Sequence, residues 1–160
     1  MDRTRIPHRQ GFGGLNLMLS MTVCFTAEEP NIEEAIAELD LYLQSLKVLP
    51  EHQFQIHTCC REALNNIVEH GDCRQSRSPL MFSLSIEISK RRDERIATIQ
   101  ITDNGEAFEP PESAIGGPQN LALSGRGWTI LRQWSDTLTF GRTDGLNRLT
   151  FTKQLTWRAN

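Results

Sequence analysis

The amino-acid sequence predicts a two-layer α/β (α+β) sandwich, in which three helices cover one face of a mixed, largely antiparallel sheet of about five strands. Two kinds of apolar periodicity carry this prediction. Alternate residues are apolar in some stretches, and apolar residues recur at helical spacing in others. Their order along the chain is β-α-α-β-β-α-β-β, with no internal repeat and no linker. We therefore expect one domain over residues 15–160, preceded by a flexible arm over residues 1–14.

The first strand is predicted over residues 15–26, where every second residue is apolar, as at Leu19, Met21 and Val23. Arginines precede this stretch, as they do in an export signal, but the alternating polar residues are typical of a strand with one buried face. The sequence therefore predicts a cytoplasmic protein without a membrane segment.

Two helices are predicted next. Acidic residues and Pro30 begin the first helix, which extends to about Ser45, and Pro50 begins the second, which extends to Glu69 and ends at the following His-Gly pair. The apolar stripe of the first helix fits either the core or a surface for a partner protein. This stripe includes Ile36, Leu39, Leu43 and Leu46.

The second half of the chain is predicted to hold four more strands and a third helix. The strands cover residues 80–88, 95–103, 138–140 and 149–155, and the helix covers residues 126–134. Residues 104–124 have no period and several glycines and prolines, which predicts a long loop. Asp144-Gly145 predicts the turn between the last two strands.

Composition narrows the functional classes. Seventeen basic and twenty acidic residues leave a formal charge of −3, so there is no basic excess to neutralise the phosphates of a nucleic acid. The four cysteines lack the spacing of a disulfide framework or a zinc site, and we expect them to be buried free thiols. No Gly-Lys pair is present, which excludes a Walker-type phosphate loop, and residues 11–14 do not complete a dinucleotide fingerprint.

Glu62 and Asn66 form the first group of residues that could carry chemistry. They are four residues apart on the second predicted helix and therefore project from one face, beside the apolar stripe. An amide oxygen is a suitable ligand for Mg²⁺, and a carboxylate one turn away could accept a proton near a metal-bound phosphate. An ordinary solvent-facing pair would have the same spacing.

Asp103, followed by Asn104-Gly105, ends a predicted strand and shares its parity with Ile99 and Ile101. Its carboxylate is expected to face inward, where a buried charge requires hydrogen-bond donors. The exocyclic amine of a purine and the backbone amides of a turn are both suitable donors, and the sequence leaves the choice open.

Two glycines, Gly125 and Gly127, begin the third predicted helix after the long loop. Backbone amides at such a helix start are free to bind phosphate, because the helix dipole is positive there. The alternative is a helix cap with a glycine that packs tightly. Read together, the three groups predict one site for a nucleotide with its metal.

These motifs resemble the GHKL-type ATPases, which have the histidine-kinase-like (Bergerat-type) ATP-binding fold, and in particular the bacterial anti-sigma factor serine/threonine protein kinases. The matching stretches are EALNNIVEHG at 62–71, DNGEAFEP at 103–110 and SGRGWTIL at 124–131. The similarity in order and spacing extends over about residues 17–155.

The resemblance implies a role for each motif. Glu62 would be the general base, Asn66 the Mg²⁺ ligand and Asp103 the acceptor for the adenine amine. The remaining cofactor-binding residues would be Gly105, which lets the nucleotide approach, Phe108, and Gly125, Arg126 and Gly127, which lie near the phosphates. The resemblance also implies ATP and Mg²⁺ as cofactors, a lid over about residues 106–124, a sigma factor and an antagonist protein as partners, and a homodimer.

Two other functions remain open. The chain could be a non-catalytic module in which ATP gates binding of a partner protein, because residues 110–124 contain no lysine or arginine to neutralise a γ-phosphate. It could also be the detached ATPase domain of a two-component histidine kinase, although it has no phosphoacceptor helix and no histidine followed by an acidic residue.

Overall fold

The strands and helices lie in the predicted order in the computed structural model, which describes residues 18–71, 78–91, 94–110 and 126–156. The predicted arm over residues 1–14 lies outside these residues. The strands are β1 (Met18–Thr26), β2 (Met81–Arg91), β3 (Glu94–Asp103), β4 (Thr137–Thr143) and β5 (Leu146–Leu155). The helices are α1 (Glu29–Ser45), α2 (Pro50–His70) and α3 (Arg126–Trp134).

The five described strands form one sheet in the order β1-β2-β3-β5-β4. Every neighbouring pair is antiparallel, which confirms the predicted sheet. β5 lies between β3 and β4, and its register pairs Asp103 with Asn147. The last strand in sequence is therefore central, and its beginning lies beside the end of β3.

The core lies between this sheet and the three helices, and the predicted strand faces are the buried ones. Ala97, Ile99 and Ile101 of β3 are buried, as are alternate residues of β2 from Phe82 to Ile88. The stripe on α1 is also core, since Leu39 and Leu43 have no exposed surface. Truncating such a leucine to alanine typically costs about 2–5 kcal/mol. Burial therefore assigns Ile36, Leu39 and Leu43 to the core, and the partly buried Leu46 packs against it.

Two polar pairs connect α1 to α2. His57 Nδ1 lies 2.9 Å from Asp40 Oδ2, and the Arg61 guanidinium donates to both Glu33 oxygens at 2.7 and 2.6 Å. The Arg61 guanidinium lowers the pKa of Glu33 by this hydrogen bond. The Arg61–Glu33 pair is exposed and contributes little to stability.

The hairpin β4–β5 is longer than the sequence predicts. Asp144 and Gly145 have φ values of 54° and 79°, so both occupy the left-handed region that a two-residue hairpin turn requires. Pairing continues up to this turn and includes Arg142 opposite Asn147. The apolar alternation did not predict these strand ends, because polar side chains next to the turn occur on both faces of the hairpin.

The cysteines follow the prediction only in part. Cys59 and Cys60 are buried in α2, as expected, but Cys24 is exposed on β1. Cys24 was wrongly expected to be buried because its parity places it on the face of the sheet opposite the helices. Cys73 lies outside the described residues. Within the described ranges no cluster of His, Cys, Asp and Glu could hold a metal ion, and no helix is long and apolar enough to cross a membrane.

Candidate functional site

The C-terminal half of α2 presents Glu62 and Asn66 on one face, as the spacing predicts. Both side chains are partly buried, and Asn66 Nδ2 is buried without a hydrogen-bond partner. A buried amide without a partner costs about 1–3 kcal/mol, so an ordered water or a ligand usually satisfies it. A rotation of the amide by 180° places Oδ1 in the same position, because the two atoms are interchangeable in shape. Asn66 is therefore suited to an external ligand.

Gly127, in the first turn of α3, lies directly against this pair. A Cβ atom at Gly127 would be 3.0 Å from Glu62 Oε2 and 3.4 Å from Asn66 Nδ2. The first of these distances is shorter than ordinary van der Waals contact, so a side chain at this position would displace the Glu62 carboxylate. The helix start predicted to bind phosphate and the predicted acid–amide pair thus lie together in space.

Asp103 ends β3, and its carboxylate meets the donors that a partly buried charge requires. Oδ1 accepts from the backbone N–H of Gly105 at 2.8 Å and from Asn147 Nδ2 at 2.9 Å. The backbone amide of a turn, one of the two donors that the sequence suggested, is therefore present in Gly105. The second donor, Asn147 Nδ2, was not predicted. Both hydrogen bonds from the described residues use the same oxygen, Oδ1.

Gly105 lies where the turn after β3 approaches the end of α2. A Cβ atom at Gly105 would be 2.8 Å from Asp103 Oδ1, 3.3 Å from Leu80 Cδ1 and 3.6 Å from the Cα of Gly71. A side chain at this position would therefore push against the Asp103 carboxylate and Leu80, and it would lie in ordinary contact with the backbone at the end of α2. The predicted role of Gly105 in nucleotide approach remains a prediction.

A pocket opens between α2, α3 and the ends of β3 and β5. Asn66 and Asp103 line it, and its apolar lining includes Ile67, Ile101, Leu131 and Leu149. Apolar walls with a few polar groups suit a flat heterocycle with polar substituents.

Three aromatic rings form one wall of this pocket. Phe108 stacks on Trp128 with ring centroids 6.0 Å apart and 17° between the planes, and it meets Phe140 edge-on at 5.8 Å. Trp128 belongs to α3 and is buried, whereas Phe108 is 38% exposed. This contact holds the beginning of the predicted lid segment against α3.

The structure brings together most of the predicted site residues. Asn66, Asp103 and Phe108 line the pocket, and Glu62 and Gly127 meet beside Asn66. Arg126 is exposed at the first position of α3. Gly125 and residues 111–124 of the predicted lid lie outside the described residues.

Asn147 and Arg142 are pocket-associated residues that the sequence reasoning missed. Asn147 lines the pocket and is only 4% exposed, and Arg142 Nη1 donates to its Oδ1 at 2.6 Å. Asn147 shares its parity with the buried Leu149 and Phe151. Extending the β5 pattern back to the Asp-Gly turn would have revealed a polar residue on the core face.

Comparison with known proteins identifies the family of the chain. Residues 25–153 match the family described as the histidine kinase-like ATPase domain. The chain belongs to this family. The chain is also 31% identical, over 105 aligned residues, to the serine/threonine-protein kinase BtrW of Bordetella bronchiseptica. That alignment covers 62% of this chain and 69% of BtrW.

A solved structure is also similar to the domain. It is the structure of the SiaB–SiaC complex from Pseudomonas aeruginosa, one chain of which has 15% identity and a TM-score of 0.46. The similarity covers 82% of this chain and 89% of that chain.

Proposed function

We propose that the pocket binds Mg-ATP and that the protein is a serine/threonine protein kinase of the anti-sigma type. One observation carries the proposal: a pocket lined by Asn66 and Asp103 lies beside the contact of Gly127 with Glu62, in a chain of an ATPase family. In this proposal the protein sequesters a sigma factor and phosphorylates a serine or threonine of an antagonist protein. The similarity to BtrW, itself named a serine/threonine-protein kinase, supports the kinase activity.

Nucleotide binding is assigned to three parts of the site. Asp103 accepts the adenine amine, the apolar pocket walls hold the ring, and the amides at the start of α3, with Gly125, Arg126 and Gly127, bind phosphate. Phe108 closes the aromatic wall beside the base. The positive end of the α3 dipole favours the phosphate charge at this position.

Asn66 is assigned as the Mg²⁺ ligand of the protein. Its buried amide has no hydrogen-bond partner and lies next to the Glu62 carboxylate, so the residues fit a hard cation with oxygen ligands. When bound, Mg²⁺ neutralises charge on the phosphates during transfer. Arg126, exposed at the helix start, supplies a further positive charge.

Glu62 is assigned as the general base. It accepts the proton of the attacking serine or threonine hydroxyl while the oxygen of that hydroxyl bonds to the γ-phosphorus and ADP departs. The Glu62 carboxylate lies beside Gly127, at the helix start that is assigned to phosphate. General bases of this kind contribute about 10²–10⁴-fold to rate.

The test is ATP-dependent labelling of partner proteins by Glu62→Gln, compared with Glu69→Gln as a matched control. Glu69 is on the same helix, and its side chain is 67% exposed. We expect Glu62→Gln to lose transfer by at least about 10²-fold while ATP still raises the melting temperature, and Glu69→Gln to transfer normally. Transfer by Glu62→Gln at the original rate would exclude the base assignment.

A non-catalytic module gated by ATP is the second candidate. It is favoured by the absence of lysine and arginine from residues 110–124, which leaves Arg126 as the nearby cation at the start of α3. ATP bound by the domain would then order the partner-binding surface without phosphoryl transfer. Protein that binds ATP stably, and transfers no phosphate to co-purifying proteins, would support this function over the kinase.

A further inference from the structure

The outward faces of α1 and α2 expose two large apolar side chains. Leu41 of α1 and Phe54 of α2 are each 61% exposed, more than any other large hydrophobic residue in the described part of the chain. Single exposed apolar residues are common on protein surfaces, whereas apolar residues grouped on one face mark an interaction site. The relative position of Leu41 and Phe54 therefore decides what their exposure means.

The polar pairs between α1 and α2 fix this relative position. The two pairs described above show that the helices are antiparallel, and in one of them His57 Nδ1 lies 2.9 Å from Asp40 Oδ2. Leu41 directly follows Asp40, and Phe54 lies about one helical turn before His57. Leu41 and Phe54 therefore lie at a similar level on neighbouring helices, and both are exposed to solvent.

An aromatic contact extends this group to α3. The ring of Phe54 lies against that of Trp134, with centroids 5.6 Å apart and 53° between the planes. Trp134 is the last residue of α3 and is half-buried. Partly exposed aromatic side chains are typical anchors of protein interfaces. Leu41, Phe54 and Trp134, here called the outer patch, thus span all three described helices.

The two helices that carry most of the outer patch are strongly acidic. They contain eight acidic residues, five on α1 and three on α2, and apart from histidines Arg61 is their one basic residue. The formal charge of α1 and α2 together is therefore −7, whereas that of the whole chain is −3. An electrostatic field of this sign repels nucleic acids and anionic lipid surfaces, and it attracts cationic segments.

We propose that the outer patch is a docking surface for a basic amphipathic helix of a partner protein. Such a helix has one apolar face, and lysine and arginine on the other. Its apolar face packs on Leu41, Phe54 and Trp134, and its basic side chains lie over the acidic outer surface of α1 and α2. The docking surface goes beyond the proposed function and is independent of it, because none of these three residues lines the nucleotide pocket.

The test measures binding of two labelled model peptides to the full-length protein by fluorescence anisotropy. Both peptides are amphipathic helices of about 14 residues with leucine on the apolar face, and the polar face carries lysine in one and glutamate in the other. Leu41→Ser/Phe54→Ser removes the apolar anchors. Leu146→Ser is the matched control, because Leu146 is also an exposed leucine but lies beside the β4–β5 turn. Thermal melts establish that each variant is folded.

We expect the wild type to bind the lysine peptide at least tenfold more tightly than the glutamate peptide. This preference should shrink as the salt concentration rises from about 0.05 to about 0.5 M, because salt screens the acidic face. Leu41→Ser/Phe54→Ser should weaken binding of the lysine peptide about tenfold, and Leu146→Ser should change it less than about twofold. If the double variant does not fold, Leu41→Ser alone decides, with an expected loss of about threefold.

Equal binding of the two peptides by the wild type would overturn the inference, as would unchanged affinity of the double variant for the lysine peptide. Deletion of residues 1–14 that strengthens peptide binding at least tenfold would also overturn it, because the arm of the chain itself would then be the occupant. A dimer that dissociates in the double variant, observed by analytical ultracentrifugation, would overturn it in favour of a second copy. Failure of ATP to raise the melting temperature of the wild type would instead refute the proposed function alone.

Discussion

Gly127 of α3 lies so close to Glu62 of α2 that a Cβ atom would be only 3.0 Å from the Glu62 Oε2 atom. The two residues are 65 positions apart in the sequence, so their contact exists only because α3 packs along α2. The lack of a side chain at position 127 therefore has a structural reason beyond local helix geometry. It leaves room for a carboxylate beside a helix start.

Substituting Gly127 should damage the site without unfolding the domain. In Gly127→Ala the new methyl group shifts the Glu62 carboxylate by a few tenths of an ångström at the helix start that is assigned to phosphate, and we expect ATP affinity to fall about threefold. Isothermal titration measures this change. Gly141→Ala is the control, because a Cβ atom there has no neighbour within 4 Å. ATP affinity reduced equally in both variants would contradict the explanation.

Removing the Asn66 amide should change how the protein responds to magnesium. We expect Asn66→Ala to bind ATP with the same affinity in the presence and absence of Mg²⁺, whereas the wild type binds more tightly with the metal. The thermal shift with ATP, measured with Mg²⁺ and with EDTA, gives both values. Asn65→Ala, one residue away on the same helix, should behave like the wild type. A magnesium response retained in Asn66→Ala would exclude its assignment as the ligand.

Tyr42 of α1 has a buried hydroxyl without a hydrogen-bond partner. Tyr42→Phe removes this group, and we expect the free energy of unfolding to stay the same or rise by up to about 1 kcal/mol at pH 7. Urea unfolding measures the difference. A loss of more than about 1 kcal/mol would show that the hydroxyl makes a hydrogen bond in solution.

Tyr42→Phe should also change how the free energy of unfolding depends on pH in alkaline solution. Burial raises the pKa of Tyr42 from 10.0 to about 12. The folded state therefore disfavours the phenolate. The free energy of unfolding keeps its full value below pH 10 and decreases as the pH rises from 10 towards the pKa of Tyr42 in the folded state. The advantage of Tyr42→Phe over the wild type should grow above pH 10. Because Tyr42 is the single tyrosine of the chain, tyrosinate absorbance follows its ionisation directly.

The cysteines should differ in their reactivity towards alkylating reagents. Burial raises the pKa of Cys59 to about 11 and also raises the pKa of Cys60, so at pH 8 both thiols are protonated and shielded. Cys24 is exposed and should be alkylated first among these three residues. Peptide mapping by mass spectrometry, with and without urea, gives the rates. Equal labelling of Cys60 and Cys24 in folded protein would contradict the burial.

Local sequence patterns were sufficient to predict most of the fold. Strand faces follow from apolar residues two positions apart, which is why the buried positions of β2 and β3 were correctly predicted. The Glu62–Asn66 motif of α2 and the glycines at the start of α3 could also be recognised in the sequence, because each motif spans only a few consecutive residues. Cys24 was wrongly predicted because that expectation rested on composition, although its position between Val23 and Phe25 already indicates the opposite face of the strand.

The sequence by itself determined the order of the elements and the residue types available for a nucleotide site, because both are local properties of the chain. Only the tertiary structure decided that Gly127 contacts Glu62 and that Asn147 donates to Asp103. These contacts depend on how α3 packs along α2 and on the position of β5 between β3 and β4. No periodicity in a single chain specifies which distant strands pair, because that choice depends on packing of the whole sheet.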